Sequence, residues 1–188
     1  MSWVVLTQEV RAVSGEERSR LARESERAVE SSSDEHALRY VKEVLVRGGL
    51  QERDVSKGII VHKLNLNPGH CIRIKGFVPK DANCFTINLG KDGSNYVLHF
   101  NPRFDYQGDI NTIVCNSKEA DEWGTEQRES TFPFHQGENT EVCISYQHNE
   151  FIVELPGKYK FRFPKRLNVE AINYMEVSDL QTQGIKID

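Results

Sequence analysis

His99-Phe100-Asn101-Pro102-Arg103-Phe104 is the stretch that decides how this chain is read. Side chains alternate along a strand, so His99, Asn101 and Arg103 share one face and Phe100 and Phe104 share the other. The apolar face belongs against a core. The polar face offers ring nitrogens, an amide and a guanidinium, a donor-rich set with acceptors mixed in. Downstream, after a loop, come Asn116 and then Trp123-Gly124-Thr125-Glu126-Gln127-Arg128. Trp123 is flanked by charged residues rather than by a hydrophobic run, so its indole is available. Hydrogen-bonding groups beside an open indole suit a ligand with hydroxyls on one side and C–H groups on the other, which describes a sugar.

Outward from this stretch, short β-rich runs follow one another. Ile59 to Leu66 is closed by the turn Asn67-Pro68-Gly69, and a run with Cys71, Ile72 and Ile74 ends at Gly76. Cys84 to Leu89 alternates, and Lys91-Asp92-Gly93-Ser94 reads as a hairpin connection to the strand Tyr96 to Phe104. Further strands are expected at Ile110–Asn116, Glu126–Phe134, Val142–Tyr146, Phe151–Leu155, Tyr159–Phe163, Ile172–Val177 and Gly184–Asp188. About eleven short strands separated by turns every 8 to 12 residues predict an antiparallel sandwich or barrel, with one buried and one wet face per sheet. Residues 57–188 are enough chain to bury such a core.

Residues 1–56 differ. Charged residues and serines dominate, and a helix over 34–47 is the one clear element. Ser33 is its N-cap, Asp34 and Glu35 sit at its positive end, and Leu38, Val41, Val44 and Leu45 form its stripe before Gly48-Gly49. This extension reads as a partly disordered tail, since a lone helix this short is marginal in water. A docking or oligomerising segment is the alternative.

The formal charge is −4, and no basic stripe accompanies it, which argues against a nucleic-acid partner. No apolar run approaches a membrane span, so no membrane insertion is expected. The start, Met1-Ser2-Trp3-Val4-Val5-Leu6, does not read as a secretory signal. Cys71, Cys84, Cys115 and Cys143 are widely spaced, without a CxxC pair. They are expected to be four small buried thiols of a cytosol-made protein rather than a disulfide framework, and they offer no zinc site.

HFNPRF, IVCNSK and WGTEQRE, in this order and spacing, resemble the carbohydrate-recognition domain of the galectins. LNLNPG, FTINLGKD, FPF and RLNVEAINYM agree with it, so the resemblance spans Lys57 to Asp188. It implies a jelly-roll β-sandwich of two antiparallel sheets, a non-enzymatic lectin binding β-galactosides such as lactose on glycans and glycoproteins, and no cofactor. It also implies dimers formed through terminal strands, and cytosolic synthesis with leaderless export. Carried over position by position, the sugar-binding set is His99, Asn101, Arg103, Asn116, Trp123, Glu126 and Arg128. Many members carry a second His in the loop after HFNPRF. Here Gln107 stands there and is expected to make an additional contact that alters affinity. A carboxylate such as Glu126 is expected to hold Arg103 rigid.

Two other functional classes compete. A glycosidase needs two carboxylates flanking the scissile bond, and only Glu126 can be placed. A scaffold acting through its N-terminal extension would have no use for the intact polar face.

Overall fold

The computed structural model describes residues 58–188 and the strand Val4–Val5. The rest of 1–57, including the helix expected at 34–47, lies outside the described residues. The chain folds as a sandwich of two antiparallel sheets. Its strands are β1 (Val4–Val5), β2 (Ile59–Leu66), β3 (Cys71–Phe77), β4 (Thr86–Asp92), β5 (Asn95–Tyr106), β6 (Asp109–Glu119), β7 (Glu122–Trp123), β8 (Gln127–Glu129), β9 (Asn139–Tyr146), β10 (Glu150–Glu154), β11 (Lys160–Pro164), β12 (Ile172–Ser178) and β13 (Gln181–Ile187). One sheet has the order β1-β13-β3-β9-β10-β11; the other runs β2-β12-β4-β5-β6-β7, with β8 also paired to β6.

The core between the sheets is aliphatic and aromatic. Ile72 and Ile74 of β3 and Phe151 and Phe163 of β10 and β11 meet Ile87, Leu89, Leu98, Phe100 and Ile113 from the opposite sheet, all fully buried. Apolar positions alternate along β3 and β11, as a sheet with one core face requires. Strand β5 departs from this. Asn101 and Arg103 on its outer face are 2% and 7% exposed, because other polar side chains close over them. The outer face at the site is therefore open at Trp123, Glu126 and Arg128 but closed over Asn101 and Arg103.

Three expectations are corrected in detail. The strand expected over Glu126–Phe134 shrinks to β8. Its second half is held by aromatic packing instead of a ladder: Phe134 lies edge-on to Phe85 at 5.1 Å, and Phe132 edge-on to Phe104 at 5.0 Å. The strand expected from Cys84 begins at Thr86, and Cys84 makes only an isolated bridge to Arg103. Cys71 and Cys143 form a disulfide, with a Cα–Cα distance of 6.7 Å, so only Cys84 and Cys115 are thiols. Spacing along the chain concealed this. Strands β3 and β9 are neighbours with Arg73 opposite Cys143, which sets the two cysteines diagonally across one ladder.

Candidate functional site

The longest strand, β5, carries the site. Its partner β6 is joined to it by the two-residue turn Gln107-Gly108, in which Tyr106 pairs with Asp109. Both turn residues have positive φ, 53° and 83°, the conformation of a tight hairpin whose twist matches its strands. The register sets His99 opposite Asn116 and Asn101 opposite Val114, which in turn faces Arg128 on β8. Residues separated by up to 29 positions in sequence thus share one patch.

Charged and polar groups on this patch form a chain. Asn101 donates from Nδ2 to the Phe85 carbonyl at 2.9 Å and accepts from Arg103 Nε at 2.8 Å. Arg103 Nη1 pairs with Asp109 Oδ2 at 2.7 Å. The other Asp109 oxygen pairs with Arg128, whose Nε and Nη2 reach Glu126 Oε2 at 3.1 and 2.6 Å. Burial alone would raise the Asp109 carboxyl, but hydrogen bonds from Arg128 and Arg103 outweigh it and hold the group below the usual carboxylate range. The carboxylate that fixes Arg103 is therefore Asp109. Glu126 acts only through Arg128 and Asp109 in turn, which corrects the expected Glu126 partnership.

Trp123 is 53% exposed and is buttressed from behind. The His99 ring meets it edge-on at 4.8 Å, and the Lys118 ammonium lies 5.4 Å from its ring centre and 4.2 Å from that of Tyr96. The loop after it is tied down by Asn116, which donates to the Gly124 carbonyl at 2.9 Å and accepts from the Ser117 amide at 2.8 Å. Arg166 reaches both Asn116 Oδ1, at 3.3 Å, and the Thr125 carbonyl. A side chain at Gly124 would crowd Ser117 Oγ at 3.1 Å and Asn116 Oδ1 at 3.3 Å, so glycine lets this loop lie close to β6.

His99 Nδ1 is hydrogen-bonded to Asn88 Oδ1, 2.6 Å away. Burial, reinforced by Arg103 and Lys118, lowers its pKa to about 4, so the ring is neutral at physiological pH. All seven expected residues are thus brought to one patch. Gln107 is at the exposed hairpin tip, and its side chain makes no hydrogen bond to the described residues. Asp109, Asn88, Lys118 and Arg166 were missed by the sequence reading. Asp109 stands where a hairpin commonly carries a turn residue, and the other three lie inside the quoted motifs FTINLGKD, IVCNSK and RLNVEAINYM but owe their place at the site to strand pairing and loop contacts that the motifs do not spell out. The patch is an open face. Cavities of about 300 and 230 Å³ border Phe134 and His135 instead, and neither contains a site residue.

Residues 58–187 match the family model of the galactoside-binding lectins. The chain belongs to the galectin family. Among relatives of this galectin, Galectin-1 of Bos taurus is 57% identical over 118 residues, covering 63% of this chain and 87% of the relative. A toad ovary galectin in complex with thio-digalactose superposes with a TM-score of 0.70 at 48% identity, covering 71% of this chain and 99% of that one. A homodimeric agglutinin from chicken liver gives 0.68 at 47% identity, over 70% and 100%. The jelly-roll expectation and the non-enzymatic reading hold with it.

Proposed function

We propose that this galectin holds a β-galactoside across β4, β5 and β6, with Trp123 stacked on one sugar face. The observation that carries this is what the polar chain leaves over. The Nη2 group of Arg103, His99 Nε2, one Asn116 amide hydrogen and Glu126 Oε1 have no partner among the described residues, and all belong to the patch beside the exposed Trp123. Galactose differs from glucose by its axial 4-hydroxyl, which clears a continuous C–H patch for the indole. His99, Asn101 and Arg103 together donate to and accept from that hydroxyl and the ring oxygen. Asn116 and Glu126 serve the 6-hydroxyl and the 3-hydroxyl of the neighbouring sugar. Arg128 keeps Glu126 in place. Gln107 reaches the second sugar from the hairpin tip.

Glucose would leave these groups unpaired, which is how a polar site discriminates. An open site with few hydrogen bonds and one stacking contact predicts a Kd between about 1 mM and 1 μM. Isothermal titration with lactose tests the reading, and maltose is the control. Saturable lactose binding with no maltose response is expected, and equal responses to both sugars would refute it.

We further propose that two copies pair and cross-link glycans, a reading supported by the homodimeric chicken relative. Synthesis in the cytosol followed by leaderless export completes the proposal. The Cys71–Cys143 disulfide suits the oxidising exterior where glycans are presented. Among the described residues no helix is long and apolar enough to cross a membrane.

A further inference from the structure

Four residues lie in one cross-strand row. Glu176 of β12 is opposite Asn88 of β4, Asn88 is opposite His99 of β5, and His99 is opposite Asn116 of β6. Directly opposed residues present their side chains on the same face. The row therefore runs from the sugar patch towards a part of the sheet with no assigned role.

Glu176 Oε2 gathers three donors there: Asn88 Nδ2 at 3.3 Å, Tyr96 OH at 2.9 Å and Tyr174 OH at 3.3 Å. The two phenol rings are buried and stacked, 6.2 Å apart and 19° from parallel. Burial and then Glu176 raise both phenols, Tyr174 to about 12, so both remain donors. His62 of β2 meets Tyr174 edge-on at 5.5 Å, and the Lys118 ammonium of β6 lies over the Tyr96 ring.

The Asn88 amide has two ends, and this arrangement fixes which way they point. Its NH2 faces a carboxylate, so its oxygen faces His99 Nδ1 at 2.6 Å. An amide oxygen only accepts. His99 Nδ1 must therefore carry the proton, and Nε2 is left with a lone pair. The reversed amide would set two oxygens 3.3 Å apart at Glu176 and hand His99 Nδ1 an N–H, moving the ring proton to Nε2. One amide flip on β4 thus converts the sugar-facing nitrogen from acceptor to donor.

We propose that Glu176 is a positioning residue for sugar selection: acting through Asn88, it locks the His99 tautomer so that Nε2 accepts a hydrogen bond from a ligand hydroxyl. This rests on the galactoside reading above. Arg103 supplies donors at the axial hydroxyl from Nη2, and the hydroxyl hydrogen then needs an acceptor. A donor at Nε2 would leave it facing only donors.

Nitrogen-15 NMR of the histidine ring, recorded without sugar, tests the lock directly. The full chain is expected to show one His99 tautomer, with its proton on Nδ1. Glu176→Ala should mix the tautomers and weaken lactose binding about 3- to 10-fold. Glu176→Gln, whose amide oxygen can accept the same three donors, should restore the single tautomer and most of the affinity. A wild-type His99 protonated on Nε2 would overturn the proposal, as would Glu176→Ala losing affinity with its tautomer unchanged. The wild-type spectrum needs no variant to fold. If the lock is seen and the wild-type chain does not bind lactose, the galactoside reading fails and takes the sugar-selecting role of Glu176 with it.

Discussion

Replacing Asp109 by alanine removes the carboxylate shared by Arg103 and Arg128. The Arg103 side chain is only 8% exposed and Asp109 16%, so the lost partner leaves a charge largely out of water. Breaking a fully buried pair from one side costs about 3–5 kcal/mol. Arg103 keeps its bond to Asn101, and the pair borders an open face, so about 2–3 kcal/mol is the expectation here. Unfolding entropy near 2.1 cal/mol/K per residue gives about 0.27 kcal/mol/K for a domain of roughly 130 residues, and hence a fall in Tm of about 7–11 °C. Sugar binding should suffer as well. Arg103 must then be ordered by the ligand at about 0.5–1.5 kcal/mol, weakening lactose about 2- to 10-fold. Circular dichroism melts and lactose calorimetry on Asp109→Ala and Asp109→Asn read both effects. Asn supplies one acceptor where two guanidiniums compete, so its loss should be intermediate. If both variants melt within about 2 °C of the wild type, Asp109 does not anchor Arg103 and the polar chain is incidental.

Other perturbations have equally definite outcomes. His99 has a folded pKa of about 4 against an ordinary value near 6.5, so between these pH values the unfolded chain takes up a proton that the folded chain refuses. Stability should therefore fall as pH drops from 6.5 towards 4, by at most about 3 kcal/mol from this group, as acid titration of the melting temperature would show. Lactose affinity should hold until pH approaches about 4 and then collapse, because protonation removes the Nε2 lone pair; a midpoint near 6.5 would contradict the burial of His99. Trp123→Ala should cost about 1–2 kcal/mol of lactose binding, roughly 5- to 30-fold, while barely moving Tm, since the indole is 53% exposed. Thiol counting on unreduced, denatured protein should find two reactive cysteines and, after reduction, four; four at the outset would disprove the Cys71–Cys143 bond.

The parts of this molecule that sequence discloses are those whose meaning is local. Strand alternation separates His99, Asn101 and Arg103 from Phe100 and Phe104 without any knowledge of neighbours, and charged flanks are enough to place Trp123 outside the core. Asp109, by contrast, matters only because a Gln107-Gly108 turn folds it back onto Arg103. Asn88 and Glu176 act only because β4 and β12 come together across 88 residues of chain. The disulfide is of the same kind, a fact of strand adjacency. Phe132 and Phe134 misled for the opposite reason. Their spacing imitates a strand, yet both rings satisfy themselves against other aromatics, and Pro133 between them has no N–H to give a ladder.

From Leu98 to Phe104, strand β5 serves two masters at single-residue resolution: Leu98, Phe100 and Phe104 face the core, while His99, Asn101 and Arg103 belong to the site. This limits how the lectin can diversify. A shift of register, an insertion or a change of strand twist intended to retune sugar contacts would also displace Leu98 and Phe100, which are fully buried. New glycan preferences are therefore most accessible through positions that carry no core load, the hairpin tip at Gln107 and the strands beyond His99. The middle of β5 should be the slowest part of the site to change, and directed libraries that leave it untouched should retain far more folded members than those that sample it.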